Sequence, residues 1–260
     1  MREYQITTIR EYLEMIEQSI GPSRPRRWKV YRGHRDIRWP ILPSIARSPY
    51  KGDPLREADI LRAFNSATVA LLPEWVNRGS PKEISWKKIV VAQHHGLPTR
   101  LLDWTDNPLV ALFFAVEGPP AVCIQGGSVQ FCNTCEAHSG HDSVVYCLTS
   151  TKECCSIEGL AASEKNENAP NYGHDKSPGL IKPPAISSRI VAQRSMFTIC
   201  REATDEVVPE HRFIILVDDR PALQAELHQL GINRASLFPD IDGVAAHMKW
   251  EVLQWETKVS

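Results

Sequence analysis

The stretch from Asn107 to Val116 restricts the fold more than any other part of the chain. Asn107-Pro108 reads as a helix cap followed by a first-turn proline, and the helix it opens, PLVALFFAV, has no polar face. A helix that is apolar all round belongs at the centre of a fold and not on its surface. The chain has the means to enclose it: 260 residues, 42% hydrophobic and 23% charged, describe a core-forming protein rather than a disordered or fibrous one. That length suits one large domain, residues 1–260.

Around this segment the hydrophobic spacing predicts a series of elements. Thr8 and Glu11 form a capping-box pattern ahead of Ile9, Tyr12, Leu13, Ile16 and Ile20, and Gly21-Pro22 closes that helix. Trp28 to Tyr31 reads as a strand that delivers Arg32-Gly33 at its end. Asp53-Pro54 opens a second helix with Leu55, Ala58, Leu61, Phe64 and Leu71 on one face, and a third is expected from about Ser85 to His95, closed by Gly96. From Glu117 to Ser188 glycine, proline, serine, asparagine and cysteine accumulate, and only Asp142 to Thr149 reads as a strand. We take 118–187 as an irregular insertion, since a loop of that length in a compact domain is either functional or disordered. Further on come strands at Ser188–Ile199 and Arg212–Val217, a helix at Pro221–Leu230 ended by Gly231, and a last helix at Pro239–Glu256. In that last helix Ile241, Val244, Ala245, Met248 and Val252 form the expected buried stripe. Helices lead and strands follow, which predicts an α+β domain rather than alternating βαβ units.

Composition excludes some partners. Thirty basic against thirty-one acidic residues give a net charge of −1, so no global field recruits nucleic acid or anionic lipid. No apolar run is long enough to cross a bilayer, and the opening MREYQITTIREYLEM lacks the pattern of a signal peptide. With seven cysteines, an odd number, no disulfide framework is suggested, and a cytoplasmic protein is expected.

Four polar clusters stand beside apolar runs, where pockets form. Arg32 at a strand end suits a phosphate or carboxylate through its planar fork, and Gly33 lets backbone approach a ligand; a surface ion pair would serve Arg32 equally well. The densest cluster is VAQHHGLPTRLLDWT, with Gln93, His94, His95, Arg100, Asp103 and Thr105. Some of these must be buried and need partners, for which an Arg100–Asp103 pair and a helix-capping His94 give a purely structural account. Gln193 and Ser195, two apart on the expected strand, share a face and can orient a ribose hydroxyl or bond a neighbouring strand. Asp240 and Asp242 precede the last helix, where the helix dipole favours acids whatever the function.

Cys132, Cys135, His138 and His141 repeat at two-residue gaps, a zinc-knuckle spacing in its cysteines but short between its histidines. A structural zinc there would order the insertion; the alternative is a loop with exposed thiols. Glycine-rich dinucleotide and P-loop signatures, the Gly-x-Ser-x-Gly elbow and the His-Glu-x-x-His helix are all missing, which argues against P-loop hydrolysis, esterase and zinc-protease chemistry.

At these clusters the chain resembles the FRG domain family, named for a Phe/Tyr-Arg-Gly motif, here Tyr31-Arg32-Gly33. The resemblance runs through Trp39-Pro40, Leu42-Pro43, the segment Gln93 to Thr105, Ala111 to Ala115, Arg189 to Phe197 and Ser236 to Asp240, from about Trp28 to Lys249. The motif order is also similar to that of ADP-ribosyltransferases. That similarity implies a split, mostly antiparallel sheet with N-terminal helices packed on it and NAD bound as substrate. Arg32 would grip NAD and Thr105 would precede the Ala- and aromatic-rich helix. Where a transferase strand carries a catalytic Glu, this chain has Gln193-Arg194-Ser195, so Asp240, Asp103 or a histidine would have to stand in.

NAD chemistry makes independent demands. Breaking the nicotinamide bond builds positive charge on the ribose carbon, which a carboxylate stabilises while an arginine holds the pyrophosphate and aromatic rings hold nicotinamide. The expected site is Arg32, His95 and Asp240 for catalysis, with Tyr31, Gly33, Gln93, Arg100, Asp103, Trp104, Thr105, Phe114 and Gln193 around the nucleotide. A transferase or NAD hydrolase, as in a toxin or phage-defence effector, would act on a protein or nucleic-acid acceptor or on water. The other readings are a nucleotide-binding module without turnover, and a metal-dependent hydrolase or nuclease using His94, His95 and Asp103.

Overall fold

The computed structural model describes residues 1–21, 28–51, 53–118, 122–125, 128–131, 141–150, 154–163, 179–199 and 202–259. The chain opens with β1 (Arg2–Gln5) and α1 (Ile9–Ile20), whose cap is Thr8, its hydroxyl accepting from the Glu11 amide. β2 (Trp28–His34) follows, longer than its apolar run suggested. Then come α2 (Pro54–Ala67) and α3 (Pro81–His94). Ser80 and Glu83 form a capping box, so α3 starts a turn before the Ser85 that hydrophobic spacing indicated. Leu55 and Leu71, expected on the buried face of α2, are 76% and 78% exposed, and Leu71 lies beyond the helix end.

β3 (Leu102–Thr105) leads through the Asn107 cap into α4 (Pro108–Val116). The expected enclosure of α4 is met: Val110 to Phe113, Ala115 and Val116 are all buried. Next are the hairpin β4 (Val122–Gln125) and β5 (Ser128–Phe131), then β6 (Ser143–Ser150), α5 (Ile157–Ser163) and β7 (Gly179–Ile181). The stretch read as irregular therefore supplies more than one strand. β7 extends the main sheet beside β8 and α5 packs on α3, because Ile157, Ile181 and Ala161 share a core with Trp86, Ile89 and Phe197.

The run Ser188–Ile199, expected as one strand, divides into α6 (Ser188–Ala192) and β8 (Ser195–Ile199). Ser187 caps the helix, and Arg194 at φ 49° turns the chain out of it. Gln193 and Ser195 are thus not strand neighbours on one face. β9 (His211–Ile215), α7 (Arg220–Gln229), α8 (Arg234–Leu237) and α9 (Ile241–Val259) complete the chain. α9 buries the opposite face from the one expected: Gly243 and His247 are buried while Ile241, Val244, Met248 and Val252 are exposed. Gly243 decides this, because a Cβ there would collide with the Phe238 carbonyl.

Seven strands form one mixed sheet in the order β1-β9-β6-β2-β3-β8-β7. Only the β1–β9 pair is parallel. The α+β, mostly antiparallel expectation is met. β2 pairs with β6 along its whole length but meets β3 at a single register pair, Tyr31↔Thr105, so the sheet parts between β2 and β3. Strand alternation sends Tyr31, Val145, Cys147 and Phe213 toward α1, α4 and α7, and Val30, Val144, Trp104 and Met196 to the other face. No helix among the described residues is long and apolar enough to cross a membrane.

Candidate functional site

Where β2 and β3 share only the Tyr31–Thr105 pair, a cavity of about 1360 Å3 lies beside the sheet. Its walls are the end of β2 with the loop that follows, the α3–β3 connection, one side of α4, and α6 with the start of β8.

Arg32 and His34 lie two apart on β2 and share its cleft-facing side. The Arg32 Nε–H donates to His34 Nε2 at 2.8 Å and its Nη1 donates to the Asp103 carbonyl across the gap between the strands. Since Nε2 accepts, the His34 proton sits on Nδ1. Burial, with the Arg32 and Arg47 charges, pushes the His34 imidazole down to about 3, so it is neutral. Burial likewise lowers Arg32 to about 10, opposed by Asp103 and reinforced by Arg47, which leaves it cationic at neutral pH. Gly33 has a structural reason in this fold: a Cβ would run into the Ala111 carbonyl oxygen and the Ala115 backbone nitrogen of α4. Its smallness seats the central helix on the strand. Tyr31 is buried among the same core residues, its phenol pushed well up by burial and by Cys147.

The α3–β3 connection is a hydrogen-bonded unit. Gly96 at φ 82° ends α3, and Gln93 then donates from Nε2 to Asp103 Oδ2 at 2.9 Å and accepts from the Thr99 hydroxyl at 2.7 Å. Asp103 is exposed in the cleft while its strand neighbours Leu102 and Trp104 are buried. Trp104 forms part of the floor, its indole N–H bonded to the Thr198 hydroxyl at 2.8 Å. Thr105 donates to the Gln193 carbonyl at 2.8 Å, and Gln193 Nε2 donates to the Leu237 carbonyl at 3.1 Å, which ties β3, α6 and α8 together. His95 is exposed on the cleft rim, and His94, lowered by burial and by His95 and Arg189, stands edge-on to it with rings 5.1 Å apart. Among the described residues His94, His95 and Asp103 form no group of metal-ligand donors. Phe114 of α4 packs against Phe238 at 6.1 Å.

Two expected site residues are elsewhere. Arg100 forms a buried, forked ion pair with Glu57 of α2, its Nε 2.8 Å from Oε2 and its backbone N–H 3.1 Å from Oε1, so the expected Arg100–Asp103 pair is replaced. Asp240 caps α9 by accepting from the Gly243 amide at 2.7 Å and does not line the cleft. Of the zinc-spaced set, Cys132, Cys135 and His138 lie outside the described residues; His141 is described and partly buried.

The cleft also gathers residues that the sequence reading passed over. Arg47, Arg189, Arg234, Glu117 and Trp39 line it with His34. His34 was accessible in principle from its two-residue spacing to Arg32, and Trp39 and Arg189 from the motifs that carry the family resemblance; Arg47, Glu117 and Arg234 carry no local signal. Among the described residues Arg32, Arg47 and Arg189 have no carboxylate within ion-pair distance, whereas Arg234 is paired with Glu117. Arg189 and Arg234 stack over Phe238, at 4.7 and 4.6 Å from the ring centre.

Residues 27–122 match the family described as FRG domain. The chain carries an FRG domain. The match takes in β2, the α3–β3 connection and α4, which supply Arg32, Gln93, Asp103 and Phe114; Arg189, Gln193 and Arg234 of the same cleft lie beyond it. No curated protein and no solved structure matches the chain.

Proposed function

We propose that the cleft of this FRG protein binds NAD or a closely related dinucleotide and cleaves its nicotinamide–ribose bond, passing ADP-ribose to water or to a macromolecular acceptor. The observation that carries the reading is the set of three arginines, Arg32, Arg47 and Arg189, that face one cavity without a carboxylate partner among the described residues. Cations gathered along the wall of one cavity favour an anion, and a guanidinium fork suits a pyrophosphate. Arg32 grips phosphate in this scheme. Asp103, held by Gln93, takes the carboxylate role in place of Asp240, which caps α9 and does not line the cleft: it stabilises positive charge on the ribose carbon as neutral nicotinamide leaves with the bonding electrons. Trp39 and Phe114 offer aromatic surface for the bases.

A second reading, a nucleotide sensor without turnover, is favoured by Ser195, which stands on β8 where a carboxylate would serve catalysis. Both readings are tested by incubating the protein with NAD and following free nicotinamide, with Arg32→Ala and Asp103→Asn in parallel. Catalysis predicts release in the wild type and losses of about 10²–10³-fold in each variant, the scale of a single electrostatic contact to developing charge. Stabilisation by NAD without release would establish the sensor. Turnover unaffected by Arg32→Ala would overturn the proposal.

A further inference from the structure

On the far side of the Arg234–Glu117 pair lies a second chamber of about 410 Å3, walled by α7, α9 and the loop before α8. His228, near the end of α7, and His247 and Glu251, four residues apart on α9, converge there, and their donor atoms all lie within 4.8 Å of one another. Glu251 Oε1 is 3.6 Å from Nε2 of His228 and 3.6 Å from Nε2 of His247. These separations are too long for hydrogen bonds. They are close to what one ion imposes: with bonds of about 2.0 Å, donors on a tetrahedral zinc stand about 3.3 Å apart.

Glu251 stands at long ion-pair distance from both imidazoles, and no hydrogen bond among the described residues joins the three. His247 is 5% exposed, and His228 Nδ1 is buried without a hydrogen-bond partner among the described residues. Trp250 stacks on His247, with ring planes within 14°, and fixes its orientation. Both histidines lie on the chamber wall.

We propose that His228, His247 and Glu251 bind a divalent transition-metal ion, zinc above all, which clamps α7 to α9. Two imidazoles and one carboxylate are a donor set that zinc accepts with a fourth position open. Lys249, Arg35 and Arg234 line the chamber beside the two histidines, so a ligand in that position would be water or a small anion. The site is separate from the arginine cleft and does not rest on the NAD reading.

The test is zinc content and thermal stability of the full-length chain, dialysed against zinc and then against buffer. His228→Ala and Glu251→Gln are compared with Cys132→Ser/Cys135→Ser, which removes the competing cysteine pair. One equivalent bound, lost in His228→Ala and in Glu251→Gln but retained in the double serine variant, is the expected result. Zinc should also raise the melting temperature of the wild type and not of His228→Ala. Cobalt in place of zinc should give a spectrum without a thiolate charge-transfer band. The assignment fails if the wild type retains no zinc, or if His228→Ala and Glu251→Gln retain as much as the wild type.

Discussion

Two arginines close to the same cleft have opposite fates. Arg100, below the α3–β3 connection, is locked against Glu57 with both side chains nearly out of solvent, whereas Arg32, at the end of β2, bonds among the described residues only a neutral imidazole and a backbone carbonyl. A buried cation with a matched carboxylate is a fastener. One left without such a partner holds charge in reserve for something that arrives later. Residue type alone does not separate the two; the position of Glu57 does.

The comparison breaks most visibly at Glu57. Glu57→Ala should strip the buried Arg100 of its matched carboxylate and cost about 3–5 kcal/mol in denaturant unfolding; a loss below about 1 kcal/mol would remove the contrast. Next is Gly33→Ala, which should cost about 1–3 kcal/mol through the forced shift of α4, readable in the same unfolding experiment. If Gly33 served only a ligand, stability would not change.

His34 sharpens the comparison through pH. Its folded value of about 3 lies below the ordinary 6.5, so the unfolded chain takes up a proton that the folded one refuses. The resulting stability is fully present above about pH 6.5 and is lost as pH falls from there toward 3. Unfolding at pH 5 should therefore be easier than at pH 7 by about 2 kcal/mol, and His34→Gln should lose that share of the pH dependence. The smallest effect is expected at Arg32 itself: Arg32→Ala should change stability by no more than about 1 kcal/mol, since two lost hydrogen bonds are set against the relief of a desolvated cation. A loss as large as that of Glu57→Ala would make Arg32 a second fastener.

The sequence was most legible where local rules act alone. Thr8, Asn107 and Gly96 marked helix ends correctly, and the apolar PLVALFFAV was buried as its pattern required. Gln93, His95, Asp103, Trp104, Thr105, Arg32 and Phe114 do meet at one cavity, along with Tyr31, Gly33 and Gln193, while Arg100 and Asp240 do not. Reading failed where a partner is remote or where two patterns compete. Glu57 lies 43 residues before Arg100, so their pairing has no local signature. The apolar residues of α9 fit two helix faces, and a glycine contact chose between them. At Ser188–Ile199 a serine cap and one left-handed arginine split an apolar run that periodicity alone reads as continuous.

The single pairing of β2 with β3 at Tyr31 and Thr105 has a mechanical meaning. It works as a spine between two pages: on one side the ladder through β6 and β9, on the other the ladder through β8 and β7, each complete without the other. Few backbone rungs would have to change for the two pages to meet at another angle, and what holds them together across the spine is mostly side-chain and helix packing, with α4 resting on both.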